Sequence, residues 1–318
     1  MDQLTKQIVN KALSRRGFLA SAGVATAATL TGCGGGTTAT VPVPTTPPAT
    51  AVSDVDVLNF ALNLEYLEAE YYLRAVTGAG IPAADQLSGA GAVTVKSGSK
   101  VTFTNNFTMQ IAAELAQTEL QHVRILQAAV KLLGGTPVAA PAIDLMNSFN
   151  AVASLAMIGS SFDPFANEIN FFVGAATFED VGVTAYTGAA SLLTNATILS
   201  AAAGIQAAEA YHAATVRAII AGTAAMTGSS TALSQFAAIQ GVRASVGGGN
   251  ETILTPGISS TGAVSASTIV AADSTNSLGF ARTTDQVLHI VYGAPAGVVS
   301  KGGFFPSGVN GNIKATAA

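Results

Sequence analysis

Two of this chain's three histidines stand three residues after a glutamate, in Glu119-Leu120-Gln121-His122 and Glu209-Ala210-Tyr211-His212. One helical turn separates positions i and i+3, so in a helix each carboxylate and its imidazole point the same way. Both pairs lie within apolar stripes of helical spacing. Ile111, Leu115, Thr118, His122, Ile125, Ala129 and Leu132 trace the first, and Ala202, Ile205, Glu209, His212, Val216 and Ile219 the second. Such a stripe faces a core, where an unpaired carboxylate costs on the order of several kcal/mol. Each buried glutamate therefore implies a bound proton, a hydrogen-bonded cation or a metal ion.

The same logic recurs in two further apolar segments. Residues 54–76 carry Leu58, Ala61, Leu62, Glu65, Ala69, Tyr72 and Val76 on one stripe, and residues 165–190 carry Phe172, Ala175, Glu179, Gly182, Val183 and Tyr186 on another. In both, a tyrosine follows the glutamate by seven residues, two turns along the same face. The chain reads as an internal repeat in which a Glu helix precedes a Glu-x-x-His helix, twice. Two Glu-x-x-His pairs plus one glutamate from each of two other helices form the ligand set of a di-iron or di-manganese site inside a four-helix bundle. The six metal ligands expected are Glu65, Glu119, His122, Glu179, Glu209 and His212, with the ion pair bridged by Glu65 or Glu179. Competing readings stay open: the two pairs as hydrogen-bonded pairs without metal, Glu68 in place of Glu65, and Tyr72 and Tyr186 as plain core aromatics. Otherwise these tyrosines orient ligating carboxylates or donate protons. Glu70, Glu114 and Glu168 fall at stripe edges and read as solvated, and His289 reads as structural.

Helix A is expected over residues 54–76, opened by Ser53 or Asp54 and closed near Gly78; helix B over 105–133; helix C from Pro164 to about Leu193; and helix D over 196–221, ending before Gly222. The short C to D link makes those helices antiparallel neighbours, and the long B to C link crosses the bundle. Val93–Lys96 and Lys100–Phe103 alternate around Ser97-Gly98-Ser99, which predicts a small peripheral β-hairpin. The fold class is all-α: a four-helix bundle over 53–222 with this hairpin insertion and an irregular extension over 223–318. Within the extension, residues 230–245 and a segment capped by Thr283 and running to Tyr292 read as helices. The closing Gly302-Gly303-Phe304-Phe305-Pro306 run docks on the bundle or forms a binding loop.

Ahead of the bundle, Ser14-Arg15-Arg16-Gly17-Phe18-Leu19 has the layout of a twin-arginine export signal, followed by an apolar run too short to span a bilayer. Leu30-Thr31-Gly32-Cys33 resembles a bacterial lipobox. That resemblance implies removal of residues 1–32, lipidation of Cys33 and a membrane anchor on the periplasmic side; ordinary cleavage to a soluble periplasmic protein is the alternative. Residues 33–52, rich in Gly, Thr and Pro, read as a flexible tether. Cys33 is the only cysteine, which excludes an intramolecular disulfide framework. The net charge of −4 becomes more acidic once Lys6, Lys11, Arg15 and Arg16 are removed, which argues against nucleic acid as a partner. A homo-oligomer stays open, but a tethered chain with a long extension is ill suited to a closed shell.

Asn63-Leu64-Glu65-Tyr66-Leu67-Glu68-Ala69-Glu70-Tyr71-Tyr72, Phe178-Glu179-Asp180-Val181-Gly182-Val183-Thr184-Ala185-Tyr186, Glu209-Ala210-Tyr211-His212 and the closing Gly-Gly-Phe-Phe-Pro run resemble the ferritin-like family that includes plant desiccation-related proteins and bacterial exported homologues. The resemblance implies a ferritin-like bundle. Its wider group contains manganese catalases, ferritins and di-iron oxidases, so it implies two iron or manganese ions on the six residues named. Two function classes follow: a redox centre that removes peroxide or dioxygen or oxidises ferrous iron in envelope stress defence, and a non-catalytic stress-protection or binding protein. A carbohydrate-binding module would show exposed aromatics, yet the chain has no Trp.

Overall fold

A computed structural model describes residues 52–259 and 261–317. The export signal, Cys33 and almost all of the tether lie outside the described residues. Helix α1 spans Asp54–Thr77, opened by a capping box between Ser53 and Asp56 and closed by Gly78 at φ 83°. A left-handed cap of this kind favours glycine, which has no Cβ to collide with the preceding carbonyl. A short α2 (Ala83–Gln86) precedes α3 (Asn106–Leu132), which Asn105 caps by accepting from the Phe107 amide. Helix α4 (Asn147–Leu155) lies in the long crossover to α5 (Glu168–Ala189). A turn of 3-10 helix at Ala190–Leu192 leads to α6 (Ala196–Thr227), then α7 (Thr231–Val246) and α8 (Thr284–Tyr292) follow.

Helices α1 and α3 pack as one pair, and α5 and α6 as the other. Within the first pair the amide of Asn59, near the start of α1, reaches the Thr136 carbonyl just past the end of α3, so the two run antiparallel. Asp54 at the start of α1 accepts from the amides of Thr194 and Asn195 beyond α5, which sets α1 against α5 in the same sense. The order is therefore up, down, down, up, and the down-to-down step is what the long crossover serves. This is the ferritin-like helical arrangement the sequence implies. Among the described residues no helix is long and apolar enough to cross a membrane.

Three local expectations are corrected. The hairpin at 93–103 does not form: Val93–Thr94 (β1) pairs in parallel with Ile143–Asp144 (β2) of the crossover, Val93 opposite Ile143. Val101 instead gives its amide to the Ala75 carbonyl at the end of α1 and buries its side chain there, so the alternation reflects loop residues packing singly. An antiparallel hairpin does occur later, between Pro256–Ile258 (β3) and Val264–Ala266 (β4), in a tract whose sequence carries little pattern. Helix α6 passes through Gly222 and stops at Gly228, φ 69°. One interior glycine costs only about 1 kcal/mol, and burial of Ala221 and Ala224 offsets it. Finally, Glu70 is not solvated; it is 1% exposed, accepting from Arg74 and from the Ile81 amide.

The C-terminal extension is bolted to the bundle in two places. Asn310 exchanges hydrogen bonds with Asn63, its amide donating to Asn63 Oδ1 (2.8 Å) while Asn63 Nδ2 donates to its carbonyl (2.9 Å). Phe304 packs edge-on against Phe149 and Phe178, and Phe305 is fully buried beside it. On the other side, Asp180 of α5 accepts from Arg217 and Arg243, and Glu251 accepts from Arg243 and Arg282, at 2.8–2.9 Å. All three arginines are buried, so this network ties α5, α6, α7 and the extension into one unit.

Candidate metal centre

The four stripes converge halfway along the bundle. Glu65 (α1), Glu119 and His122 (α3), Glu179 (α5) and Glu209 and His212 (α6) are all buried, the carboxylates at 0–1% exposure and the imidazoles at 5% and 8%. Ligand atoms of Glu65, Glu119, His122 and Glu209 lie within 4.8 Å of one another, as do those of Glu119, Glu179, Glu209 and His212. The two groups share Glu119 and Glu209. Each imidazole turns Nδ1 inward: His122 Nδ1 is 3.2 Å from both Glu65 and Glu209 and 3.3 Å from Glu119, and His212 Nδ1 is 2.7 Å from Glu119. The rings themselves stack at 5.8 Å across the α3–α6 interface.

The two groups have Glu119 and Glu209 in common, where the sequence reading puts Glu65 or Glu179 between the ions. The shared carboxylates come from the Glu-x-x-His helices, and Glu65 and Glu179 sit at the two ends. Tyr72 of α1 donates to Glu179 of α5, and Tyr186 of α5 donates to Glu65 of α1, so each tyrosine holds the other helix's glutamate.

Charge makes this cluster costly as bare protein. Burial, with the like charges around them, pushes Glu119 and Glu209 up to about 8 and raises Glu179 well above the usual carboxylate range. Burial acts on Glu65 in the same direction, but the neighbouring His122 outweighs it and holds this carboxyl below its ordinary value. His122 is driven well up by Glu65 and Glu119 against the opposing effect of burial, whereas burial leaves His212 lowered. Both oxygens of Glu119 and of Glu209, Glu179 Oε2 and His212 Nδ1 are buried without a hydrogen-bond partner. His212 Nδ1 is near Glu119 but misaligned for a hydrogen bond. Five buried acceptor oxygens and an imidazole nitrogen facing one space are unsatisfied by any donor of the chain, and a hard or borderline divalent cation satisfies that donor set. The residues present fit a metal.

Glu65 belongs to the first group and Glu68 to neither. Glu68 is nevertheless buried at 5% exposure, and burial and then the neighbouring Glu209 raise its carboxyl well above the ordinary range. Its counterpart in the repeat, three residues after Glu179, is Gly182. A Cβ there would stand 2.3 Å from Glu209 Oε2 and 3.4 Å from Glu68 Oε1, so the missing side chain makes the room both carboxylates use. The signal was present in the α5 stripe as a glycine at a core position. Another contact left unassigned by sequence reasoning is Thr118 Oγ1, 3.0 Å from His212 Nε2. His289 is structural as expected, its Nδ1 3 residues from the α8 terminus and 2.7 Å from the Ala294 carbonyl.

Comparison with known proteins agrees with this architecture. The model of the ferritin-like domain family matches residues 53–222. A desiccation-related protein of Craterostigma plantagineum is 35% identical over 173 residues, which is 53% of this chain and 53% of that protein, so the match spans about half of its length. A ferritin-like catalase of Nesocodon mauritianus is 27% identical over 272 residues, 82% of this chain and 85% of that protein. With four helices in the ferritin-like order and the family match over the bundle, the chain belongs to the ferritin-like domain family.

Proposed function

We propose that this protein is an exported di-metal carboxylate enzyme that disproportionates hydrogen peroxide at the cell envelope. Two iron or manganese ions would be held by Glu65, Glu119, His122, Glu179, Glu209 and His212. The observation that carries the reading is the sharing of Glu119 and Glu209 between two four-residue groups, with all four of their oxygens buried and unpartnered. Bound ions of this kind supply electron cycling with peroxide. The chain itself supplies fixed geometry. Tyr72 and Tyr186 hold the outer carboxylates, and the rings of Tyr71 and Phe171 pack edge-on against Tyr72. Disproportionation to water and dioxygen consumes no outside reductant, which suits a compartment without a cytoplasmic electron supply. The similarity to a protein named a ferritin-like catalase supports the same reading.

A non-catalytic protective role is favoured by the similarity to a desiccation-related protein and by the arginine network that stiffens the back of the bundle. Envelope anchoring through Cys33 belongs to the proposal on the strength of Leu30-Thr31-Gly32-Cys33. A Cys33→Ala chain that leaves the membrane fraction would support it, and one that stays there would not. For the centre, elemental mass spectrometry of the full chain and of a His122→Ala/His212→Ala chain is paired with an oxygen electrode and hydrogen peroxide. About two ions per chain, lost in the variant together with oxygen release, is the expected result. Metal without oxygen release would leave the protective reading. A metal-free, folded protein from metal-supplemented cells would end the di-metal reading.

A further inference from the structure

The repeat that relates the two halves of the centre breaks at the residue preceding each Glu-x-x-His glutamate. Thr118 precedes Glu119, whereas Ala208 precedes Glu209. Thr118 Oγ1 lies 2.9 Å from the Glu114 carbonyl and 3.0 Å from that of Leu115, one turn back in its own helix. Carbonyls only accept, and a hydroxyl has a single proton. With that proton on a backbone carbonyl, a lone pair of Oγ1 faces His212 Nε2 at 3.0 Å. The ring tautomer that carries its hydrogen on Nε2 is the one that satisfies this lone pair. The other nitrogen, Nδ1, then presents its lone pair to the carboxylate cluster, where it is buried and unpartnered.

His122 has no equivalent. Its Nδ1 also faces the cluster, but among the described residues no hydrogen bond reaches its Nε2, and Ala208, the counterpart of Thr118 in the repeat, carries no hydroxyl. An imidazole tied through a hydroxyl to helix backbone has its tautomer and ring angle set before any ion arrives, whereas a ring held on one side only does not.

We infer that Thr118 is a positioning residue that makes the two halves of the centre unequal, so that the Glu179–His212 position takes a divalent cation before the Glu65–His122 position. The inference rests on the metal-centre reading above and adds an order of loading to it. Partners of this kind typically change metal affinity about 10- to 100-fold.

The test uses the full chain stripped of metal and titrated with Mn(II), with free Mn(II) followed by electron paramagnetic resonance and the imidazole nitrogens followed by 15N NMR before any metal is added. Two binding steps are expected, the tighter one lost in His212→Ala. Thr118→Val should loosen that step about tenfold and unfix the His212 tautomer, while Thr118→Ser, which keeps the hydroxyl, should restore both. Ala208→Thr should tighten the second step by supplying His122 with the missing partner. Two equal steps in the wild type, or Thr118→Val and Thr118→Ser behaving alike, would overturn the inference while leaving a metal centre standing. No Mn(II) bound at all would remove the metal-centre reading beneath it.

Discussion

Tyr186 on α5 donates its hydroxyl proton to Glu65 on α1, and both groups are buried in the middle of the bundle. Tyr72 does the same for Glu179 in the opposite direction. Burial first, then the adjoining carboxylate, pushes each phenol well above its ordinary range, so both stay protonated donors. Glu179 keeps one oxygen without a hydrogen-bond partner, Glu65 shares its second oxygen with His122, and Glu119 and Glu209 keep two each.

Removing one of these donors should act on metal binding before it acts on folding. Tyr186→Phe keeps the ring and is expected to unfold within about 1–2 kcal/mol of wild type, while the affinity of the Glu65–His122 position falls about tenfold. Thermal unfolding and Mn(II) titration of the same samples separate the two effects.

The metal-free protein should lose stability as pH rises. Glu119 and Glu209 have folded-state values raised from 4.5 to about 8, so folding favours their protonated forms. Their stabilising contribution is complete below the unfolded value and is lost as pH climbs through the folded one. The raised His122 acts with the same sign at higher pH, and Glu65, which is lowered, opposes them at the acid end. The melting temperature of the stripped chain is expected to fall between about pH 5 and pH 9, and a saturating divalent cation should flatten or invert that slope.

Gly182→Ala places a methyl group 2.3 Å from Glu209 Oε2. Glu209 must swing away from the shared position, so both ions should be weakened together, and overpacking should cost about 1–3 kcal/mol. Metal content by elemental analysis checks the first effect and urea unfolding the second. Retention of two ions at wild-type affinity would show that Glu209 is not shared.

Arg243→Met would strip Asp180 and Glu251 of a common partner in a buried network. Arg217 stays on Asp180 and Arg282 on Glu251, so the loss is expected at about 3 kcal/mol, the low end for a broken buried pair. Thermal unfolding should drop accordingly, and limited proteolysis should open the extension around residues 250–280 before it cuts the bundle.

The helices and the ligand candidates were legible because both are periodic in sequence. Glu65, Glu119, Glu179 and Glu209 interrupt apolar stripes at core positions, and caps at Ser53, Asn105 and Thr283 mark where helices begin. The arginine network was not legible, since Asp180, Arg217, Arg243, Glu251 and Arg282 are far apart in the chain and follow no common period. The strand pairing of Val93 with Ile143 was hidden for the same reason: a two-residue ladder is set by where the crossover passes and leaves no lasting alternation.

By itself, then, the sequence determined that four amphipathic helices must bury four carboxylates and two imidazoles on one line, because helical spacing assigns each residue to a face and burial penalises any unpaired charge. Only the tertiary structure decided which carboxylates are shared, which tyrosine holds which glutamate, and that Gly182 and Thr118 make the two halves differ. Those are relations between helices, fixed by register and by packing distances of a few ångströms, and no periodicity within one helix encodes them.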